Sequence, residues 1–196
     1  WVDDMLVFGE PQDVEQFEKD ISGMFVCKLE GVMQEYVGNK VTVVERQNGI
    51  RAVKFTQPVL IQKLKDEYRF SEKGRAPTTP AVPGQLLLRS DVRTHMTAKE
   101  VTRYRSGTAT LNYMAQWSRP DIQNAVREMT RQMSNPVPAH VGAMHYCMRY
   151  VHATPNRGWT LEPDRVWDGS ADFEWEIRSQ SDANYASNPD DRRSVT

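Results

Sequence analysis

Asp3 and Asp4 are the residues of this 196-residue chain whose type and spacing most directly suggest chemistry. They are adjacent carboxylates, preceded by Trp1-Val2 and succeeded by the apolar run Met5-Leu6-Val7-Phe8 and then Gly9. That pattern predicts a strand, a tight turn carrying the acids, and a return strand. In a regular strand neighbouring side chains point to opposite faces, but at a hairpin tip both carboxylates can address one pocket. Hard oxygen ligands of this kind suit magnesium or manganese, and two such ions can clamp the attacking and departing oxygens of a phosphoryl transfer. Asp-Asp is also ordinary turn chemistry, so the pair takes on this meaning only through the rest of the chain.

Downstream of the pair lies an ordered set of short motifs: Glu35-Tyr36-Val37-Gly38, Tyr104-Arg105-Ser106-Gly107, Ser118-Arg119-Pro120-Asp121-Ile122, and Ser181-Asp182 through Arg192-Arg193-Ser194. The first hairpin resembles the aromatic-x-Asp-Asp box of reverse transcriptases, and the later motifs resemble, in order, the Pol polyprotein of copia-type LTR retrotransposons. The likeness covers essentially the whole chain. It implies the C-terminal part of a reverse transcriptase running into the start of an RNase H domain, with template-directed DNA synthesis by two-metal nucleotidyl transfer. Asp3 and Asp4 would be its catalytic, metal-binding carboxylates, with Mg2+ or Mn2+ as cofactor. Tyr36, Val37 and Gly38 would be its primer grip, where a glycine lets a nucleic-acid backbone approach closely. Asp182 would be the first metal-binding carboxylate of RNase H.

The partners so implied are an RNA template, a DNA primer or RNA–DNA hybrid, deoxynucleotides and the remainder of the polyprotein. The implied setting is a cytoplasmic virus-like particle or the nucleus, without a membrane. Trp1 stands where the family more often has Tyr, and Asn184 where many relatives carry Asp. The family's other palm aspartate and its fingers would precede Trp1, and its remaining RNase H acids would come after Thr196, so an isolated fragment without activity is expected. The alternative is a degenerate relic that only binds nucleic acid.

Composition is compatible with this. Hydrophobic residues make up 39%, mean hydropathy is −0.66, and no apolar run approaches the length of a membrane span. Cys27 and Cys147 give no disulfide framework. The net charge of −1 hides an uneven distribution. Residues 1–38 hold nine acids and two bases, 39–160 nineteen bases and eight acids, and 161–196 nine acids and four bases. The basic middle is the expected phosphate-contacting region, since cations that displace counterions supply most non-specific affinity. There is no P-loop, no Gly-x-Ser-x-Gly elbow and no internal repeat. His140, His145, Cys147 and His152 do not share one helical face or a finger spacing, so zinc is disfavoured.

The elements that must position these residues give an α+β chain: a partial palm of antiparallel hairpins plus helix, a helical thumb or connection bundle, and the first strand of an RNase H-like domain. The expected boundaries are 1–70, a Pro-rich linker at 71–96, helices at 97–157 and strands at 158–196. Asp13 is expected to cap a helix whose buried face is Val14, Phe17, Ile21 and Phe25, ending near Gly23, with a strand at 27–29 next. Residues 35–44 alternate as a strand, and Asn48-Gly49 turns the chain into a second strand at 50–55. Pro58 opens a helix with the stripe Leu60, Ile61, Leu64 and Tyr68. Thr97 and Glu100 form a capping box for a helix interrupted at Gly107. Two further helices carry the faces Ile122, Ala125, Val126, Met129, Met133 and Val141, Met144, Met148, Val151. Trp159 to Leu161, then Phe173, Trp175 and Ile177, read as strands leading to Asp182.

Overall fold

The longest helix among the described residues begins where the capping box places it. Thr97 Oγ1 accepts from the Glu100 amide at 3.3 Å while the Glu100 carboxylate accepts from the Thr97 amide at 2.7 Å, so two amides at the helix start are satisfied. The computed structural model describes residues 9–31, 34–46, 49–70, 74–89 and 96–164, together with Met5, Val7 and Ser170. Asp3, Asp4, Asp182 and the 173–177 strand expectation lie outside the described residues. The chain divides into two compact units, Trp1–Met33 and Gln34–Thr196.

In the first unit, α1 spans Pro11–Met24. Pro11 takes the first helical position, where its missing N–H costs nothing, so Glu10 is the N-cap and Asp13 falls inside the first turn. The expected Asp13 cap is thereby corrected. Its charge still sits at the positive end of the helix dipole. No residue of α1 is buried, and Phe25, expected on a buried face, is 65% exposed at the C-cap. Residues 27–29 form no strand.

The second unit carries a sheet and a helical cluster. Strands β1 (Glu35–Tyr36), β2 (Asn39–Glu45), β3 (Arg51–Thr56) and β4 (Trp159–Leu161) pair antiparallel in that order. The register sets Val41 opposite Phe55 and Val43 opposite Val53; across the next seam Phe55 meets Trp159 and Val53 meets Leu161. Thus Trp159–Leu161, expected to open a separate strand domain, closes the edge of the hairpin sheet instead. Gly158 makes this possible: a Cβ there would collide with the Phe55 carbonyl and Thr56 Cγ2.

Helix α2 (Pro58–Tyr68) buries Ile61, Leu64 and Tyr68, and α3 runs unbroken over Ala98–Trp117. Gly107 does not interrupt it, contrary to expectation. A Cβ at Gly107 would stand 2.6 Å from Met144 Sδ, 2.8 Å from Met148 Cε and 3.0 Å from Tyr68, so the residue is small because two other helices press against it. After a 3-10 turn at Pro120–Ile122 come α4 (Gln123–Arg131) and α5 (Pro138–Ala153). Their expected faces are inside: Ile122, Val126, Met129, Met144, Met148 and Val151 are all at most 1% exposed. These side chains, with Tyr104, Leu111 and Met114, form one contiguous core. The Pro-rich 74–89 segment holds no helix or strand but is tied down, with Gln132 donating to Leu87 O at 2.7 Å and His140 Nε2 3.0 Å from Leu88 O. No helix among the described residues is long and apolar enough to cross a membrane.

Candidate nucleic-acid interface

The only expected site residues within the described chain are Tyr36, Val37 and Gly38, and they form a tight turn. Tyr36 pairs with Asn39, which leaves Val37 and Gly38 as a two-residue loop with φ of 48° and 70°. Positive φ at both central positions is the type I′ arrangement, whose twist suits a hairpin. Residues 35–44, expected as one strand, are therefore broken here. A glycine meets the left-handed requirement at no steric cost, but a β-branched valine does so at roughly 1–2 kcal/mol.

Side chains from two places hold Val37 there. Asn39 Nδ2 donates to Tyr36 O at 3.3 Å and to Val37 O at 3.2 Å. From α3 the Tyr113 hydroxyl donates to Val37 O at 2.6 Å. Each net hydrogen bond contributes about 1 kcal/mol, so together they offset the conformational cost. Tyr113 and Asn39 are silent in the sequence because neither belongs to a motif; the one signal is a valine before a glycine where a hairpin prefers Asn-Gly. Among the described residues, the Tyr113 hydroxyl at 3.8 Å is all that a side chain at Gly38 would meet, and Gly38 is exposed.

Cations stand beside the turn. By strand alternation Lys40, Thr42, Lys54 and Thr56 share one sheet face, with Glu35 opposite Lys40. Lys40 is exposed, one step from Asn39. Thr56 leads into Gln57, whose Oε1 accepts from Ser118 Oγ at 2.7 Å, so the C-terminal end of α3 and the end of β3 are joined. There Trp117 is 40% exposed, its ring 6.2 Å from that of Tyr113.

Much of the basic middle is occupied with holding helices together. Arg103 donates to Glu67 O at 2.7 Å at the end of α2, and Arg105 to Met133 O at 2.8 Å just past α4. Arg119, 1% exposed, donates to Thr154 O at 3.1 Å at the end of α5 and makes two 2.9 Å bonds to the Asp121 carboxylate. Cations here meet unsatisfied carbonyls at the negative ends of helix dipoles. Tyr150 also donates to Asp121 at 2.8 Å, and Arg157 to the Tyr150 oxygen at 2.6 Å. Burial pushes the Asp121 carboxyl up, but the bonds from Arg119 and Tyr150 outweigh it and hold the group below the usual carboxylate range. The Ser118-Arg119-Pro120-Asp121 motif thus locks the helical cluster, and its chemistry is that of a fold.

Among the described residues no group of three or more His, Cys, Asp or Glu could hold a metal ion. His140 accepts from the Val137 amide at Nδ1, so its Nε2 carries the proton toward Leu88 O, and burial lowers its pKa despite that bond. Burial likewise raises Cys147 to about 12. A cavity of about 150 Å3 between Pro80, Val82, Leu87, Met129 and Tyr146 is smaller than the roughly 300 Å3 at which ligand sites begin.

No family model and no solved structure matches the chain. Among curated proteins it is 28% identical, over its full length, to the retrovirus-related Pol polyprotein from transposon TNT 1-94 of Nicotiana tabacum, spanning 14% of that protein. It is 33% identical over 58% of its length to the retrovirus-related Pol polyprotein from transposon RE1 of Arabidopsis thaliana, and 30% identical over 46% to that from transposon RE2. The chain spans 7% and 6% of those two proteins. Along its whole length, then, this chain is similar to a segment of a copia-type retrotransposon Pol polyprotein.

Proposed function

We propose that the chain is part of the RNA-directed DNA polymerase of a retrotransposon Pol polyprotein and grips the primer strand of an RNA–DNA hybrid. The observation that carries this reading is the full-length similarity to a Pol polyprotein. The left-handed turn at Val37-Gly38 supports the gripping role, because its open backbone can approach a sugar–phosphate chain where a side chain would intervene. Lys40 and Lys54 on the adjoining sheet face would meet phosphates.

Asp3 and Asp4 are hard oxygen donors of the kind that hold magnesium, which when bound supplies charge neutralisation at the transferring phosphoryl group. Asp182 would serve the adjoining RNase H chemistry in the same capacity. The chain's own task is to hold the primer so that its 3′-hydroxyl stays in line, a contribution of orientation.

Titration of Mn2+ into the chain with a primer–template hybrid, monitored by the electron paramagnetic resonance of free ion, tests the acidic pair. Ion uptake is expected in the native chain and its loss in Asp3→Asn/Asp4→Asn. Uptake that ignores those substitutions overturns the assignment.

A further inference from the structure

We infer that Tyr113 is a positioning residue for the primer-contacting turn: its hydroxyl, reaching from α3, keeps Val37 left-handed and so keeps the Gly38 backbone presented. The consequence for nucleic acid rests on the function proposed above, whereas the conformational consequence does not. Three observations converge. Val37 is one of two non-glycine residues with positive φ among the described residues, and as a β-branched side chain it is ill suited to that region. Its carbonyl receives the 2.6 Å bond from Tyr113, across a sequence separation of 76 residues, so the bond couples sheet to helix and is not local turn chemistry. Strand β1 has two residues, paired to β2 at Glu35–Lys40 and Tyr36–Asn39 and continued by one bond from the Val41 amide to Gln34 O at 2.8 Å, so the ladder that supports the turn is short.

Tyr113 is itself fixed from behind. Its α3 neighbours Leu111 and Met114 are fully buried, and the Ser118–Gln57 bond secures the end of that helix to the start of α2. The donor therefore sits on the rigid part of the unit and the strained residue on its thin edge. Without the hydroxyl, only the two longer Asn39 amide bonds, at 3.3 and 3.2 Å, remain to offset the cost of positive φ at Val37, so the left-handed state is held less tightly and Gly38 is presented for less of the time.

The same geometry defines a double-variant test. Tyr113→Phe removes only the donor and leaves the ring beside Trp117. Val37→Gly removes the need for the donor, because glycine takes positive φ freely. Two readouts are used on the full chain: the amide chemical shifts of Gly38 and Asn39, and the affinity for a fluorescent DNA primer annealed to a longer RNA. Tyr113→Phe is expected to move both amides and to weaken hybrid binding about fivefold, the scale of one net hydrogen bond. In the Val37→Gly background, Tyr113→Phe is expected to change neither the affinity nor the Asn39 shift beyond what Val37→Gly alone does. Unmoved amides in Tyr113→Phe, or an effect of Tyr113→Phe in the Val37→Gly background as large as in the native one, overturn the positioning role. If the native chain binds no hybrid, the proposed function fails, and the shifts alone decide on Tyr113: moved by Tyr113→Phe in the native background and not in the Val37→Gly background in its favour, any other outcome against it.

Discussion

Asp121 shows how much one side chain can hold. Its carboxylate joins Arg119, Tyr150 and Arg157, and without it a guanidinium 1% exposed would lie in the core without its carboxylate. Asp121→Ala is expected to destabilise the chain by about 1–3 kcal/mol, less than the loss of a fully buried pair, because Arg119 is buried but the Asp121 side chain is 30% exposed. Thermal unfolding checks this. The pH dependence has a definite sign. The folded carboxyl sits below its unfolded value, so its stabilisation is complete above about pH 4 and is lost as pH falls through the lower folded value. Asp121→Asn should flatten that acid limb, and an unchanged limb would assign it to other carboxylates. A second residue-scale expectation concerns the thiols. Cys147 is fully buried and its pKa is raised by burial to about 12, while Cys27 is exposed. Native-state alkylation should therefore modify Cys27 and spare Cys147, as mass spectrometry of the peptides would show. The sequence marks Arg119 and Asp121 as a motif but not as a lock, because partners at Tyr150, Thr154 and Arg157 come together only once α5 folds back.

At the scale of elements, helix α3 organises the second unit. Arg103 and Arg105 on it, and Arg119 just after it, each reach carbonyls at the C-terminal end of a different neighbour. Periodicity and capping make α2 through α5 legible, since apolar spacing and the Thr97–Glu100 box are local properties. Two glycines are not, because their reasons lie elsewhere in the chain. Gly107→Ala puts a methyl against flexible ends of Met144 and Met148, and should cost about 1–3 kcal/mol as overpacking does. Gly158→Ala meets the rigid carbonyl of Phe55, so it should unpair β4 from β3. Hydrogen exchange at residues 53–55 distinguishes them: faster exchange is expected for the Gly158 variant, and equal protection in both would contradict the steric reading. The break at Val37-Gly38 is equally illegible, since a valine rarely accepts positive φ without outside help, and Tyr113 is that help.

Across the whole molecule, charge read along the sequence overstates what can reach phosphates. Arg46, Arg103, Arg105 and Arg119 all have protein acceptors, so the excess of bases in residues 39–160 is partly internal. The acids at Asp3, Asp4 and Asp182 lie outside the described residues, which leaves the turn and its lysines as the part of the proposed site that geometry supports. The central claim is that this turn grips a primer paired to its template. Fluorescence anisotropy of a labelled DNA primer on a longer RNA, repeated across a salt series, tests it most directly. Micromolar binding at low salt is expected, with a log–log salt slope of about −3 for a few phosphate contacts and about tenfold weakening by Gly38→Val with Lys40→Glu. Absence of binding at low salt, or affinity indifferent both to salt and to those substitutions, would contradict it.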